Sequence, residues 1–210
     1  MDVPQNILCM DKKQTHTFFD DNLRNSRRRV EVSLSEYSHE YLVNLLMSRL
    51  ATSEKSHDVL SEGHYDSIDH AAIDAKTVAL LAHTVGYSTR DLGDSLLFSM
   101  GFFPEVPFKR RQTDKYCAIG RQAYSYAVQR SSPHFHYRDA VQELSHSFND
   151  AAHTLTDLHV QFQISRGSPK ELLDALDFWE SSKDPFARVI LNRSGLVERV
   201  GQLEKERVLH

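Results

Sequence analysis

Apolar residues recur along most of the chain at intervals of three and four, which is the spacing of one face of an α-helix. Four leucines show this spacing and predict a helix over residues 36–51: Leu42, Leu45, Leu46 and Leu50. The same pattern predicts helices over 67–85, 88–101, 114–130 and 137–165. Beyond these it predicts one helix beginning at residue 168, one over 184–195, and a last amphipathic segment, 196–209.

Strand-like alternation of apolar and polar residues occurs convincingly in one short run, Val30, Val32 and Leu34. Glycine is scarce, at 8 of 210 residues, which favours helix over sheet. We therefore predict an all-α fold, an irregular bundle of about six to eight helices in a single domain over residues 26–210. Residues 1–25 are polar and weakly patterned, and we predict that they form a flexible N-terminal arm.

Local signals predict where several helices begin and end. Ser33 with Glu36 has the spacing of a capping box, in which a hydroxyl and a carboxylate each bond a free backbone amide. Ser88 with Asp91 predicts the start of the helix over 88–101. Gly86 follows a helix and predicts a left-handed ending.

Composition and charge exclude several classes of protein. With 40% hydrophobic and 26% charged residues, the chain is neither disordered nor a membrane protein, and it has no apolar run near the roughly 18 residues of a spanning helix. A net charge of −4 argues against nucleic-acid binding. Two cysteines, Cys9 and Cys117, cannot form a disulfide framework, and the first residues lack a signal-peptide core. We expect a cytoplasmic protein.

One stretch of the chain resembles a known pattern. Residues 93–105 read Gly-Asp-Ser-Leu-Leu-Phe-Ser-Met-Gly-Phe-Phe-Pro-Glu, and Tyr116, Gly120 and Tyr124 follow on the next helix. This resembles an uncharacterised family of small all-helical bacterial proteins, over about residues 84–126 and, with Trp179, over 172–191. The resemblance implies a helical bacterial protein and brings no catalytic residues with it.

Twelve histidines raise the question of a metal site. On the predicted helix 137–165, five polar side chains follow one another at steps of three and four: Glu143, His146, Asp150, His153 and Asp157. Glu143 and His146 have the Glu-x-x-His spacing of di-iron bundles. An apolar stripe lies on the opposite face, however, whereas metal ligands in such bundles point inward. We interpret the polar row as a solvated face and keep a di-iron-like or zinc site at Glu143, His146 and His153 as the alternative.

Four further sets of residues have a functional and a structural interpretation. A carboxylate of Asp66 or Asp74 could orient the imidazole of His70 as a base, and His134 with His136 could bind a metal. Both patterns are also typical of polar surfaces. The arginines 27–29 are interpreted as solvated charge. Five aromatic residues could line a ligand cavity, but are better interpreted as core: Phe98, Phe102, Tyr116, Tyr124 and Tyr126.

Residues 102–111 carry the most unusual composition. Gly101 is expected to end the preceding helix, and Pro104 and Pro107 prevent helix formation across the phenylalanines that follow. Such apolar density is costly on a surface loop, so the rings either plug the bundle or contact a partner. The adjacent cations favour an acidic amphipathic partner, with these contact residues: Phe103, Phe108, Lys109, Arg110 and Arg111. We expect Phe102 or Phe103 to point inward and Phe108 to be more exposed.

These features predict a helical protein-interaction or regulatory module that docks through residues 102–111 and requires no cofactor. A second copy of the chain is a possible partner, through the stripe of Leu196, Val200 and Leu203 within 196–209. Two alternatives stay open: a metal-binding bundle and a small-ligand-binding bundle, either of which could be an enzyme. We lean towards a protein without enzymatic activity, because no catalytic motif is present.

Overall fold

A computed structural model describes residues 11–51, 73–102, 113–132 and 136–164. Seven helices lie in these ranges, and no strand does: α1 (Lys12–Arg29), α2 (Glu36–Ala51), α3 (Ala75–Thr84), α4 (Thr89–Phe102), α5 (Thr113–Arg130), α6 (Arg138–His146) and α7 (Phe148–Ile164). The predicted all-α, single-domain fold is confirmed. No helix in these ranges is long and apolar enough to cross a membrane. The segments predicted beyond residue 165, including 196–209, lie outside the described residues.

Helix α4 is the centre of the bundle and packs against α5 on one side and α7 on the other. Every residue from Leu92 to Phe102 is buried. Small residues allow the close approach: a Cβ atom added at Gly101 would overlap Leu155, and one at Gly120 would overlap the ring of Phe148. The prediction that Gly101 ends the helix is wrong, because α4 continues through Phe102 and the glycine serves close packing instead.

Helix α2 has the predicted bounds, but a different residue caps it. The Oγ of Ser35, not of Ser33, accepts a hydrogen bond from the backbone N–H of Ser38, at 3.2 Å. The backbone N–H of Ser35 donates to Oε1 of Glu143, at 2.9 Å. The carboxylate of this capping box therefore comes from α6, and the predicted pairing of Ser33 with Glu36 is wrong.

The signals between α3 and α4 are confirmed. Gly86 has a φ of 74°, in the left-handed region, and follows α3 as predicted. The Oγ of Ser88 accepts from the N–H of Asp91 at 3.1 Å and donates to its Oδ2 at 2.6 Å, which caps α4. Asp74 caps α3 by accepting from the N–H of Thr77, at 2.7 Å.

The long helix predicted over 137–165 is two helices that meet at Ser147, which has φ −103° and ψ 28°. Neither glycine nor proline marks this break. Helix α6 packs on α2 and α5, whereas α7 packs on α1 and α4. A continuous straight helix could not follow both directions, so tertiary packing overrides the local helical preference.

Helix α1 replaces much of the arm that was predicted over residues 1–25. It starts at a capping box of Asp11 with Gln14 and packs on α2 and α7. Three of its side chains are fully buried: Phe19, Leu23 and Ser26. A stripe this narrow is hard to recognise in a polar sequence, which explains the error over residues 12–25. Residues 1–10 lie outside the described residues.

Candidate functional site

A carboxyl group lies inside the bundle. Asp94 belongs to the second turn of α4 and is 8% exposed. Its neighbours along the chain, Gly93 and Ser95, are small and also buried. Because an aspartate is seldom buried unless its charge is compensated, its surroundings are the first place to look for function.

Two tyrosines from different helices bond the same oxygen of this carboxyl group. The hydroxyl of Tyr41, on α2, donates to Oδ1 of Asp94 at 2.6 Å, and that of Tyr124, on α5, donates to Oδ1 at 2.8 Å. A Cβ atom at Gly93 would lie 2.7 Å from two atoms of the Tyr124 ring. The glycine therefore leaves the space in which Tyr124 reaches the carboxyl group.

The second carboxyl oxygen faces a partly exposed arginine. Nε of Arg90, one turn earlier on α4, lies 3.8 Å from Oδ2 of Asp94. The same guanidinium is 3.3 Å from Oδ1 of Asp91, and the Arg90 side chain is 38% exposed. Arg90 thus connects the buried carboxyl group to the surface.

The surroundings decide the protonation of these groups. Burial raises the pKa of Asp94, and the two tyrosine hydroxyls and Arg90 oppose that shift without cancelling it. Burial and the nearby carboxylate also raise the pKa of Tyr41 and of Tyr124, so both hydroxyls keep their protons and act as donors. The arrangement can hold a proton at Asp94 with a pKa above the ordinary value of about 3.9.

The aromatic residues considered for a ligand cavity are mostly core. Phe98, Phe102, Tyr116 and Tyr124 are buried, and Phe98 stacks on Phe102 with ring centroids 4.9 Å apart. Tyr126 is half-buried. The interpretation of the first four as core is confirmed.

The predicted metal ligands do not converge. The carboxylate of Glu143 accepts hydrogen bonds from the hydroxyls of Ser35 and Ser38, the latter at 2.5 Å. His146 is exposed at the end of α6, and His153 lies on α7 beyond the break at Ser147. In the part of the chain that the structure describes, no group of three or more His, Cys, Asp or Glu side chains could hold a metal ion.

The interpretation of this polar row as a solvated face needs correction. Asp157 is 2% exposed and accepts from Nη2 of Arg29 at 2.7 Å and from the amide of Gln161 at 3.1 Å. Partial burial favours a higher pKa for Glu143, but the hydrogen bonds from Ser35 and Ser38 hold it below its usual range. Both carboxylates therefore join helices: Glu143 joins α6 to α2, and Asp157 joins α7 to α1.

The arginines 27–29 are also not simply solvated. Arg27 donates to the carbonyl oxygen of Leu34, and Arg29 pairs with Asp157. Only Arg28 of the three points to solvent without a described partner. Two of the three guanidiniums thus join α1 to its neighbours.

The remaining candidates lie largely outside the described residues. These are Phe103, Phe108, Lys109, Arg110 and Arg111, together with Asp66, His70 and His134. Of the residues paired with them, Asp74 caps α3, and His136 is exposed with its ring 4.7 Å from that of Tyr137. Phe102, by contrast, is 5% exposed, which confirms that one of the first two phenylalanines points inward.

No family model matches this chain, and no curated protein or solved structure shows significant similarity to it. The resemblance to small helical bacterial proteins therefore stays a prediction.

Sequence reasoning missed the carboxyl group shared by two tyrosines, although a signal for it exists. Asp94 is the one charged residue between Leu92 and Phe102, a run otherwise made of apolar and small residues. An isolated carboxylate in such a run requires donors from other helices. Tyr124 stands on the apolar face of α5 and was treated as core without regard to its hydroxyl.

Proposed function

We propose that this chain is a helical protein-interaction or regulatory module that docks an acidic amphipathic partner through residues 102–111. One observation carries the proposal: the ring of Phe102, which opens this segment, is held in the core. It stacks on Phe98 and lies edge-on to His159, with centroids 5.3 Å apart. The first residue of the segment therefore has a fixed position.

The other end of the segment is also anchored. Helix α5 begins at Thr113, which is 6% exposed, and α4 and α5 form the most extensive helix pair of the described part. Fixing both ends reduces the conformational entropy that a ten-residue connection loses when it binds a partner. This favours recognition by residues 103–112.

The composition of the segment defines the partner. Phe103 and Phe108 offer apolar area, and aromatic residues and arginine are enriched among the residues that dominate binding energy. The cations Lys109, Arg110 and Arg111 would steer an acidic partner towards the rings. The net charge of the chain is −4, so this attraction is local to the segment.

Binding to a labelled amphipathic helical peptide with an acidic face tests the proposal. We expect Phe108→Ala and the combined reversal of Lys109, Arg110 and Arg111 to Glu each to abolish binding while the helical circular dichroism stays unchanged. The matched control reverses three exposed cations elsewhere, Arg28, Lys76 and Arg121, to Glu.

Three outcomes would contradict the proposal. Equal loss of binding in the control would indicate only the general charge of the chain. A fall in stability of about 3–5 kcal/mol on Phe108→Ala would make this ring part of the core. Binding to anionic vesicles but not to the acidic peptide would replace the protein partner with a membrane surface.

A second copy of the chain is the other proposed partner, through residues 196–209. Leu196, Val200 and Leu203 form an apolar stripe among charged residues, which suits helix pairing. Light scattering of a chain that ends at Gly195 tests this: fewer copies of the chain per particle than in the full chain support self-association, and an unchanged number of copies contradicts it. The proposed setting is the bacterial cytoplasm, where the buried thiol of Cys117 would stay reduced.

A further inference from the structure

The contact between α1 and α2 contains a buried histidine with one unused nitrogen. His39 is 1% exposed, and its Nε2 lies 2.7 Å from Oδ1 of Asp20 on α1. A carboxylate can only accept, so Nε2 carries the proton of the neutral ring. Nδ1 is buried and has no hydrogen-bond partner among the described residues.

We propose that His39 is a pH-sensitive latch for α1: protonation of its imidazole weakens the contact between α1 and α2 and lets α1 detach from the bundle in mildly acidic solution.

The geometry explains why a charged ring is poorly accommodated. The imidazolium would place an N–H at Nδ1, where no described acceptor lies, and a charge in a site closed to water. The carboxylate of Asp20 is shared, because its Oδ2 lies 3.2 Å from Nε of Arg24. Arg24 in turn forms a two-pronged pair with Glu36, at 3.1 and 2.7 Å.

The charges that surround His39 come from three helices. On α1 these are Asp20, Arg24 and Arg27, and on its own helix Glu36. On the side of α6, Glu143 bonds the adjacent Ser38. Burial lowers the pKa of His39, Asp20 opposes that shift, and the two arginines add to it.

The sign of the pH dependence follows from this shift. The folded histidine binds a proton less readily than the free side chain, whose pKa is about 6.5. The docking of α1 is therefore fully stable above about pH 6.5 and weakens as the pH falls below it. Asp94, with a raised pKa, acts in the opposite direction, and it bonds residues of α2 and α5 rather than α1.

Hydrogen exchange of the full chain tests the latch. Exchange of residues 12–29 is measured at about pH 7.5 and about pH 5.5, on either side of the histidine pKa, and corrected for the intrinsic rates. We expect α1 to open several-fold more often at the lower pH, since each unit of depressed pKa corresponds to about a tenfold change. Exchange of α4 and α5 should not increase.

Two variants separate His39 from the other histidine of this contact. His39→Gln keeps a donor for Asp20 but cannot be charged, and we expect it to abolish the pH effect. His16→Gln is the matched control: His16 pairs with Glu40 at 3.1 Å on the same two helices but is 37% exposed, so the pH effect should persist.

An equal opening of α1 at both pH values, or a pH effect that survives in His39→Gln, would overturn the proposal. Should that variant fail to fold, an NMR titration of the wild-type histidine rings decides. A midpoint for His39 below the ordinary value supports the latch, and one at or above it overturns the latch.

Discussion

Helices α4 and α1 both pack against α7, but they do so through different chemistry. Helix α4 buries every residue from Leu92 to Phe102, and its glycine Gly101 brings the backbone against Leu155. Helix α1 buries Phe19, Leu23 and Ser26 and stacks Phe18 on Phe162 of α7, and it adds ion pairs to both of its neighbours. Close packing stabilises α4 at the centre of the bundle, whereas charged groups supply a large part of the contacts of α1 at its edge.

This difference determines what each region responds to. Close packing is sensitive to added or removed volume and has little dependence on pH or salt. Ion pairs and a buried histidine respond to protonation, and exposed pairs are screened by salt. We therefore expect α1 to open on its own, whereas α4, α5 and α7 unfold together.

Truncation of a buried ring in each region should produce the largest contrast. Phe148 and Phe19 are both 0% exposed. Phe148→Ala removes the ring that fills the space above Gly120, and we expect a loss of about 3–5 kcal/mol in global stability by urea denaturation. Phe19→Ala should cost less globally, because α1 can detach while the centre stays folded. Equal losses from the two variants would contradict a separable α1.

An added methyl group tests the close packing of the centre. Gly101→Ala places a Cβ atom on that of Leu155, which belongs to a neighbouring helix and cannot rotate away. We expect a loss of about 1–3 kcal/mol, although alanine gains about 1 kcal/mol in helix propensity. The control, Gln129→Ala on the exposed face of α5, should leave urea denaturation unchanged. A stabilised Gly101→Ala would show that the two helices are free to separate.

Loss of one arginine tests the second polar attachment of α1. Arg29→Met leaves Asp157, which is 2% exposed, with the amide of Gln161 as its remaining donor of those described above. We expect a loss of about 1–3 kcal/mol, the usual cost of a buried polar group that loses a partner. Hydrogen exchange should locate the effect in α1. Arg28→Met, at the exposed neighbouring position, is the control, and an equal effect there would rule out the pair with Asp157 as the cause.

Replacement of the carboxyl group of Asp94 should change how the free energy of unfolding depends on pH, rather than the overall magnitude of that free energy. The raised pKa means that the folded chain binds a proton more tightly than the unfolded chain. Stability is therefore lost as the pH rises from about 3.9 through the folded value. Asp94→Asn keeps an oxygen for Tyr41 and Tyr124 and should flatten this slope in urea denaturation at several pH values. An unchanged slope would mean that Asp94 does not titrate in this range.

Features that depend on neighbouring residues were predictable from the sequence. The bounds of α2, the cap of α4 by Ser88 and the left-handed Gly86 all follow from signals within one or two turns. An inward position was predicted for Phe102 or Phe103, and Phe102 is buried. Each of these features can be predicted without knowing which distant residues pack against it.

Features that depend on distant residues were not predictable in the same way. The capping carboxylate of α2 belongs to Glu143, 108 positions away, and the break at Ser147 comes from the different neighbours of α6 and α7. Gly101 is a contact position only because Leu155 lies against it. The centre at Asp94 likewise needs Tyr41, 53 positions before it.

Native-state hydrogen exchange at increasing urea concentration tests the separation of edge and centre most directly. We predict that the amides of α1 exchange through an opening of low free energy with a small urea dependence. Those of α4, α5 and α7 should exchange together at the global free energy of unfolding. If α1 and α7 instead share one free energy and one urea dependence at neutral pH, α1 is part of the cooperative core, and the distinction between the two regions is wrong.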